Sequence, residues 1–152
     1  MAISIPIENE QPIRRHGEEI FPHECCGFML GTVDGDAREV AELLPVKNDR
    51  EDGARHNRFL ISPEDFMKGE KTARAKKFDI IGIYHSHPNA PARPSQYDLD
   101  HAWPWYSYVI VSIMDGTSDN MTSWILGEDR KGFHEEDIVV METQSTKSEN
   151  AS

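Results

Sequence analysis

Apolar residues in this chain fall in short runs, separated by turn-forming and charged stretches. Ile3, Ile5 and Ile7 alternate with small or polar residues and predict a short strand or an extended entry. Glu8 to Ile20 predicts a helix, with Ile13 and Ile20 two turns apart on one side. Pro12 is awkward inside a helix, so its start is expected near Gln11, and Pro22 ends it. Cys25 to Leu30 is apolar and bounded by Pro22 and Gly31, which predicts a buried strand with Glu24 at its beginning. Asp34-Gly35 is a hairpin turn signal, with Val40 to Val46 as the return strand. Lys47 to His56 is polar and predicts a mobile loop where a substrate could be met, and Phe59-Leu60-Ile61 predicts a short strand. Ser62-Pro63-Glu64-Asp65 is a helix start, with Ser as N-cap and Pro at the first helical position. That helix should run to about Lys77, with Phe66, Ala73 and Phe78 toward the core.

The next apolar run, Ile80-Ile81-Gly82-Ile83-Tyr84, predicts a buried strand from Asp79 that ends in His85-Ser86-His87-Pro88. Strand side chains alternate faces, so His85 and His87 point the same way and Ser86 the other. Pro88 cannot continue a central strand, so the chain leaves the sheet there. After a loop with Pro88, Pro91 and Pro94, Ser95 opens a short helix that Pro104 interrupts. Trp103 and Trp105 at its end read as core packing. Ser107 to Met114, Met121 to Leu126 and Gly132 to Val140 predict three more strands, and Asp115-Gly116 turns the first of them. The order of elements predicts a mixed α/β layer structure with one central sheet flanked by helices. Residues 1–141 read as a single domain. Residues 142–152 are polar, lack a periodic apolar face and read as a disordered tail.

Composition narrows the classes. At 152 residues the chain has the size of one ordinary domain. The net charge of −11 argues against a nucleic-acid surface, which needs clustered Lys and Arg. The one basic cluster, Lys71 to Lys77, fits the exposed face and C-terminal end of a helix. No apolar run reaches membrane-spanning length, and the N-terminus lacks the pattern of a signal peptide, so a cytoplasmic location without a membrane partner is the expectation. The adjacent Cys25 and Cys26 do not suggest a disulfide framework and read as buried small hydrophobes.

The candidate chemistry gathers between Ile80 and Asp98. Two imidazoles on one face at a strand end are half of a divalent-metal site. The proline-rich loop brings Ser95 and Asp98 back toward them, and Asp98 can add a carboxylate. Two His and one carboxylate leave a fourth position for water, as in a catalytic zinc site. Each part also has a plainer reading. His-x-His pairs are often surface or hydrogen-bonded histidines, and Ser95-x-x-Asp98 has the form of a helix capping box with Asp in place of Glu. His101, three residues after Asp98, and His23, beside Glu24, are competing histidines.

The full spacing is His-x-His, seven residues, Ser, two residues, Asp. It resembles the signature of the JAMM (MPN-plus) metallopeptidases at every fixed position. Outside the motif, HECCG at residues 23–27, ARPSQYD and HAWPWYSYVIVS look like the small prokaryotic branch of that family. The resemblance covers about Ile3 to Val140. It implies the JAMM/MPN fold, a curved mixed sheet flanked by helices and akin to cytidine deaminases. It implies one Zn²⁺ per chain held by His85, His87 and Asp98, with Glu24 as general acid/base and Ser95 as oxyanion donor. It also implies an amide or isopeptide bond as substrate, after the C-terminal Gly-Gly of a ubiquitin-like sulfur-carrier protein. Two other functions stay open: a non-catalytic scaffold that binds ubiquitin-like proteins, and a zinc hydrolase of a small molecule. The deaminase signature, with Glu beside its His and a Cys-x-x-Cys pair, is absent.

Overall fold

In the computed structural model, residues 2–48 and 61–142 are described. Among these residues, seven strands and three helices follow in order: β1 (Ala2–Pro6), α1 (Ile7–Ile20), β2 (Cys26–Asp34), β3 (Ala37–Val46), α2 (Pro63–Ala75), β4 (Asp79–Pro88), α3 (Gln96–His101), β5 (Ser107–Met114), β6 (Thr117–Leu126) and β7 (Phe133–Met141). The strands form one mixed sheet in the order β1-β3-β2-β4-β5-β6-β7, and β7 pairs back onto β1. The central sheet of the α/β reading is therefore present, and it closes on itself. Closure removes exposed sheet edges. It depends on parallel pairing between the first and last strands, Ile3 opposite Ile138 and Ile5 opposite Val140.

Two apolar clusters hold the layers together. Ile3, Ile5, Ile13, Met29, Tyr84 and Val111 are fully buried in one of them. In this cluster α1 packs against β1, β3, β4, β5, β6 and β7, so it lies in the hollow of the curved sheet. The second cluster puts α2 over β2 and β4, with Phe28, Leu30, Ile80, Ile83 and Ala73 buried and Phe66 and Phe78 packed against them. Ser62 caps α2 as expected, its hydroxyl accepting from the Asp65 N–H at 3.1 Å. The hairpin between β2 and β3 turns at Gly35, whose φ of +63° suits glycine.

Three local expectations change. α1 starts at Ile7 and carries Pro12 within it. Only one ladder bond is lost to the proline, and the burial of Ile13 and Gly17 on the next turn outweighs it. Of the expected strand Phe59-Leu60-Ile61, Ile61 is described and is not in a strand, while Phe59 and Leu60 lie outside the described residues. The expected loop from Lys47 is described only at Lys47 and Asn48, and the tail only at Glu142. Trp103 and Trp105 are not core residues: they are 63% and 46% exposed. α3 ends at His101, and each indole faces a guanidinium rather than the interior, Arg38 at 4.7 Å from the Trp105 ring and Arg130 at 5.6 Å from Trp103. Among the described residues no helix is long and apolar enough to cross a membrane.

Candidate metal centre

The register of β2 on β4 assembles the centre. Cys26 pairs with His85 in an antiparallel ladder. The pairing extends one residue further, where the Ser86 N–H donates to the Cys25 carbonyl at 3.2 Å. Residues directly opposite in such a ladder share a face. His85 and His87 therefore lie on the side of Glu24, while Tyr84, Ser86 and Cys25 face α1. The ligand atoms of Glu24, His85 and His87 all lie within 4.8 Å of one another, and all three residues are buried. β4 runs through both histidines before Pro88 ends it.

Asp98 arrives from the other side of the loop. Its Oδ2 lies 3.3 Å from His87 Nε2 and 3.4 Å from His85 Nε2, and the two Nε2 atoms are 3.1 Å apart. A tetrahedral zinc with bonds of about 2.0–2.2 Å needs donor atoms about 3.3–3.6 Å from each other. The two edges to Asp98 fall within that range and the edge between the imidazoles lies just below it, so a slight parting of the rings fits the three donors to a single ion. The capping box is present at the same time: the Ser95 N–H donates to Asp98 Oδ2 at 2.8 Å, and the Asp98 N–H donates to Ser95 Oγ at 3.1 Å. The box fixes the carboxylate that faces the histidines, so the plain and functional readings of Ser95-x-x-Asp98 hold together. Ser95 is exposed, and in that contact its hydroxyl accepts, which leaves its hydrogen to donate.

Electrostatics suit a cation. Burial alone would raise the Asp98 carboxyl, but the neighbouring His85 and hydrogen bonds from His85, His87 and the Ser95 amide hold it well below the usual carboxylate range. Burial lowers His85 against the pull of Asp98, which favours a neutral imidazole. Burial also opposes the charged form of His87, yet its bonds to Asp98 and to the Pro91 carbonyl carry it upward. His87 Nδ1 donates to that carbonyl at 2.9 Å, which fixes the ring and turns Nε2 toward the centre. An ionised carboxylate and imidazole nitrogens are the donors zinc takes.

Among the described residues, neither His23, His101 nor a cysteine joins the cluster of Glu24, His85 and His87. His101 is exposed, stacked on Tyr97 with ring centroids 4.0 Å apart, and its Nδ1 donates to the Tyr97 carbonyl. Cys25 and Cys26 are buried, and neither is in a disulfide. Burial pushes Cys25 up to about 12, so no thiolate is available there near neutral pH. A cleft of about 870 Å³, with aromatic walls from Phe66, Tyr97, Trp103 and Tyr106, reaches His85 and Asp98. The sequence hides this cleft, because indoles next to apolar strands read as core residues.

Comparison with known proteins bears on the family. Residues 7–127 match the Prok-JAB family, described as prokaryotic homologs of the JAB domain. A desampylase of Haloferax volcanii is 35% identical over 92 residues, 60% of this chain and 63% of that protein. The match thus spans slightly under two thirds of the desampylase. A probable TtuB-protein conjugate cleaving protease of Thermus thermophilus is 27% identical over 128 residues, 84% of this chain and 78% of that one. The crystal structure of a JAB1/MPN-domain protein from Archaeoglobus fulgidus superposes with a TM-score of 0.54 at 19% identity, over 91% of this chain and 96% of that one. That likeness bears on the fold alone.

Proposed function

The chain belongs to the family of prokaryotic JAB-domain homologs, and on that premise we propose that it is a zinc metallopeptidase that cleaves conjugates of a ubiquitin-like protein. The substrate we assign is an amide or isopeptide bond following the C-terminal Gly-Gly of a ubiquitin-like sulfur-carrier protein. The names of the desampylase and of the conjugate-cleaving protease support this class of substrate. The triangle of His85, His87 and Asp98 is the observation that carries the reading, because it gathers two imidazole nitrogens and a carboxylate oxygen at close to the spacing one tetrahedral ion requires.

In this reading His85, His87 and Asp98 hold Zn²⁺. When bound, the ion supplies Lewis acidity and lowers the pKa of a coordinated water to about 7. Glu24, close to both imidazoles, removes the proton of the attacking water and delivers it to the leaving amine. Ser95 donates its hydroxyl hydrogen to the scissile carbonyl oxygen as negative charge grows there. A donor of that kind is worth about 3–4 kcal/mol of barrier. The aromatic cleft beside Asp98 takes the extended chain of the substrate and keeps bulk water from it.

The test is incubation of the protein with a ubiquitin-like carrier fused through its Gly-Gly tail to a second polypeptide, read by intact mass. Cleavage directly after the second glycine, abolished by a zinc chelator and restored by added zinc, is expected. Uncut fusion at full zinc occupancy would favour a scaffold or a small-molecule hydrolase.

A further inference from the structure

Glu24 lies between α1 and β2 on a segment that belongs to neither helix nor strand. Something other than the sheet ladder must fix its direction. The peptide unit that joins it to Cys25 is held at both ends by side chains. Its carbonyl, from Glu24, accepts from Asn48 Nδ2 at 3.0 Å. Its N–H, from Cys25, donates to Ser86 Oγ at 2.8 Å. Glu24, Asn48 and Ser86 are all buried, at 4%, 8% and 0% exposure.

A peptide unit is planar, so gripping its oxygen and its hydrogen fixes the orientation of the whole plane. The Glu24 side chain leaves from the Cα at one corner of that plane. We propose that Ser86 and Asn48 are positioning residues, which clamp the 24–25 peptide and so aim the Glu24 carboxylate at the His85–His87–Asp98 centre. The inference rests on the role given to Glu24 above.

The clamp also explains the middle residue of His85-Ser86-His87. Alternation sends the imidazoles to one face and Ser86 to the other. That other face is tight: a Cβ added at Gly17 of α1 would lie 3.3 Å from the Ser86 Cβ. A small residue is required there, and serine is small while still offering an acceptor to the Cys25 N–H. One tripeptide thus supplies two metal donors and the anchor for the base. A misplacement of about 1 Å costs roughly a hundredfold in rate, so loss of either grip should show in turnover.

The test uses the zinc-loaded full chain with a Gly-Gly-tailed fusion as substrate. Ser86→Ala and Asn48→Ala should each lower kcat ten- to a hundredfold, with KM within twofold and zinc still at one per chain. The double variant should fall no further than the worse single, because both act on one peptide. Added to Glu24→Gln, neither should reduce the residual rate. A separate readout needs no activity. In metal-free Ser86→Ala, the Cys25 amide should exchange with solvent at least tenfold faster, with β5 amides unchanged. Ser86→Cys, which stays small and keeps a weaker side-chain acceptor, should recover part of both the exchange protection and kcat. If Ser86→Ala does not fold, Asn48→Asp decides by the same kinetics, since it keeps the size and cannot donate to the carbonyl. Wild-type kcat in both single variants, or a full further loss on top of Glu24→Gln, overturns the clamp. If Glu24→Gln itself keeps turnover, the role of Glu24 fails instead, and the Cys25 exchange rate still judges the clamp. If Glu24→Gln is inactive while the Ser86 and Asn48 variants are unimpaired, only the clamp fails.

Discussion

Asp98 Oδ2 lies 3.3 Å from His87 Nε2 while accepting the Ser95 amide hydrogen at 2.8 Å. One oxygen therefore serves a helix cap and the candidate metal centre, and substitution can separate the two duties. Asp98→Asn keeps a side-chain oxygen for the cap and removes the charge. It should leave the fold intact and weaken zinc binding by more than about 100-fold, the upper end for loss of a mere supporting partner. Asp98→Ala should lose the cap as well. Competition with a chromophoric zinc chelator measures both, and unchanged affinity in either variant would remove Asp98 from the ligand set.

The thiols stand outside the chemistry. Cys25 is held protonated by burial, and neither cysteine is in a disulfide. The Cys25→Ala, Cys26→Ala double variant should keep kcat within about threefold of wild type on a Gly-Gly-tailed fusion, as expected for small apolar packing changes that remove no donor. Loss of turnover with the fold preserved would point to a thiol mechanism.

His16 should leave a signature in the pH dependence of stability. Its Nδ1 lies 2.7 Å from the Tyr84 hydroxyl, which burial keeps protonated and able to donate. Burial lowers His16 below its ordinary 6.5, with Glu19 opposing. The unfolded chain then takes up this proton at a higher pH than the folded one. The stability from this residue is complete above about 6.5 and falls as the pH drops below it. Metal-free protein should lose more thermal stability from about pH 7.5 to 5.5 than His16→Gln, which can still accept from Tyr84 without titrating. Parallel losses in the two proteins would show that His16 carries no such linkage.

The cleft wall should act on binding rather than on chemistry. Trp103 is 63% exposed and lines the cleft that reaches Asp98. Trp103→Ala should raise KM about tenfold, the equivalent of ~1.4 kcal/mol, with kcat within about twofold. An unchanged KM would place the substrate elsewhere.

How much of this was legible in the sequence depends on the range of the interaction. Ser107–Met114 coincides with its expected strand because a continuous apolar run signals burial locally. The shared face of His85 and His87 follows from the two-residue strand period, and the Ser95–Asp98 box from a three-residue spacing. Nothing local places Glu24 beside the histidines. That follows from the register of Cys26 on His85, across more than fifty residues, and only family resemblance selected Glu24 among 27 acids. The Asn48 grip on the Glu24 carbonyl was hidden in what read as a polar loop. Closure of the sheet was equally illegible, since β1 and β7 pair from opposite ends of the chain. Trp103 and Trp105 misled because an indole reads as core unless the guanidinium facing it is known.

In the proposed reaction Glu24 moves the proton for hydrolysis at a zinc held by His85, His87 and Asp98. The most direct measurement is single-turnover cleavage of a Gly-Gly-tailed carrier fusion by zinc-loaded Glu24→Gln, with zinc content determined on the same sample. One zinc per chain with a rate about 10²- to 10⁴-fold below wild type is the predicted result. Near-wild-type cleavage by that variant would contradict the account.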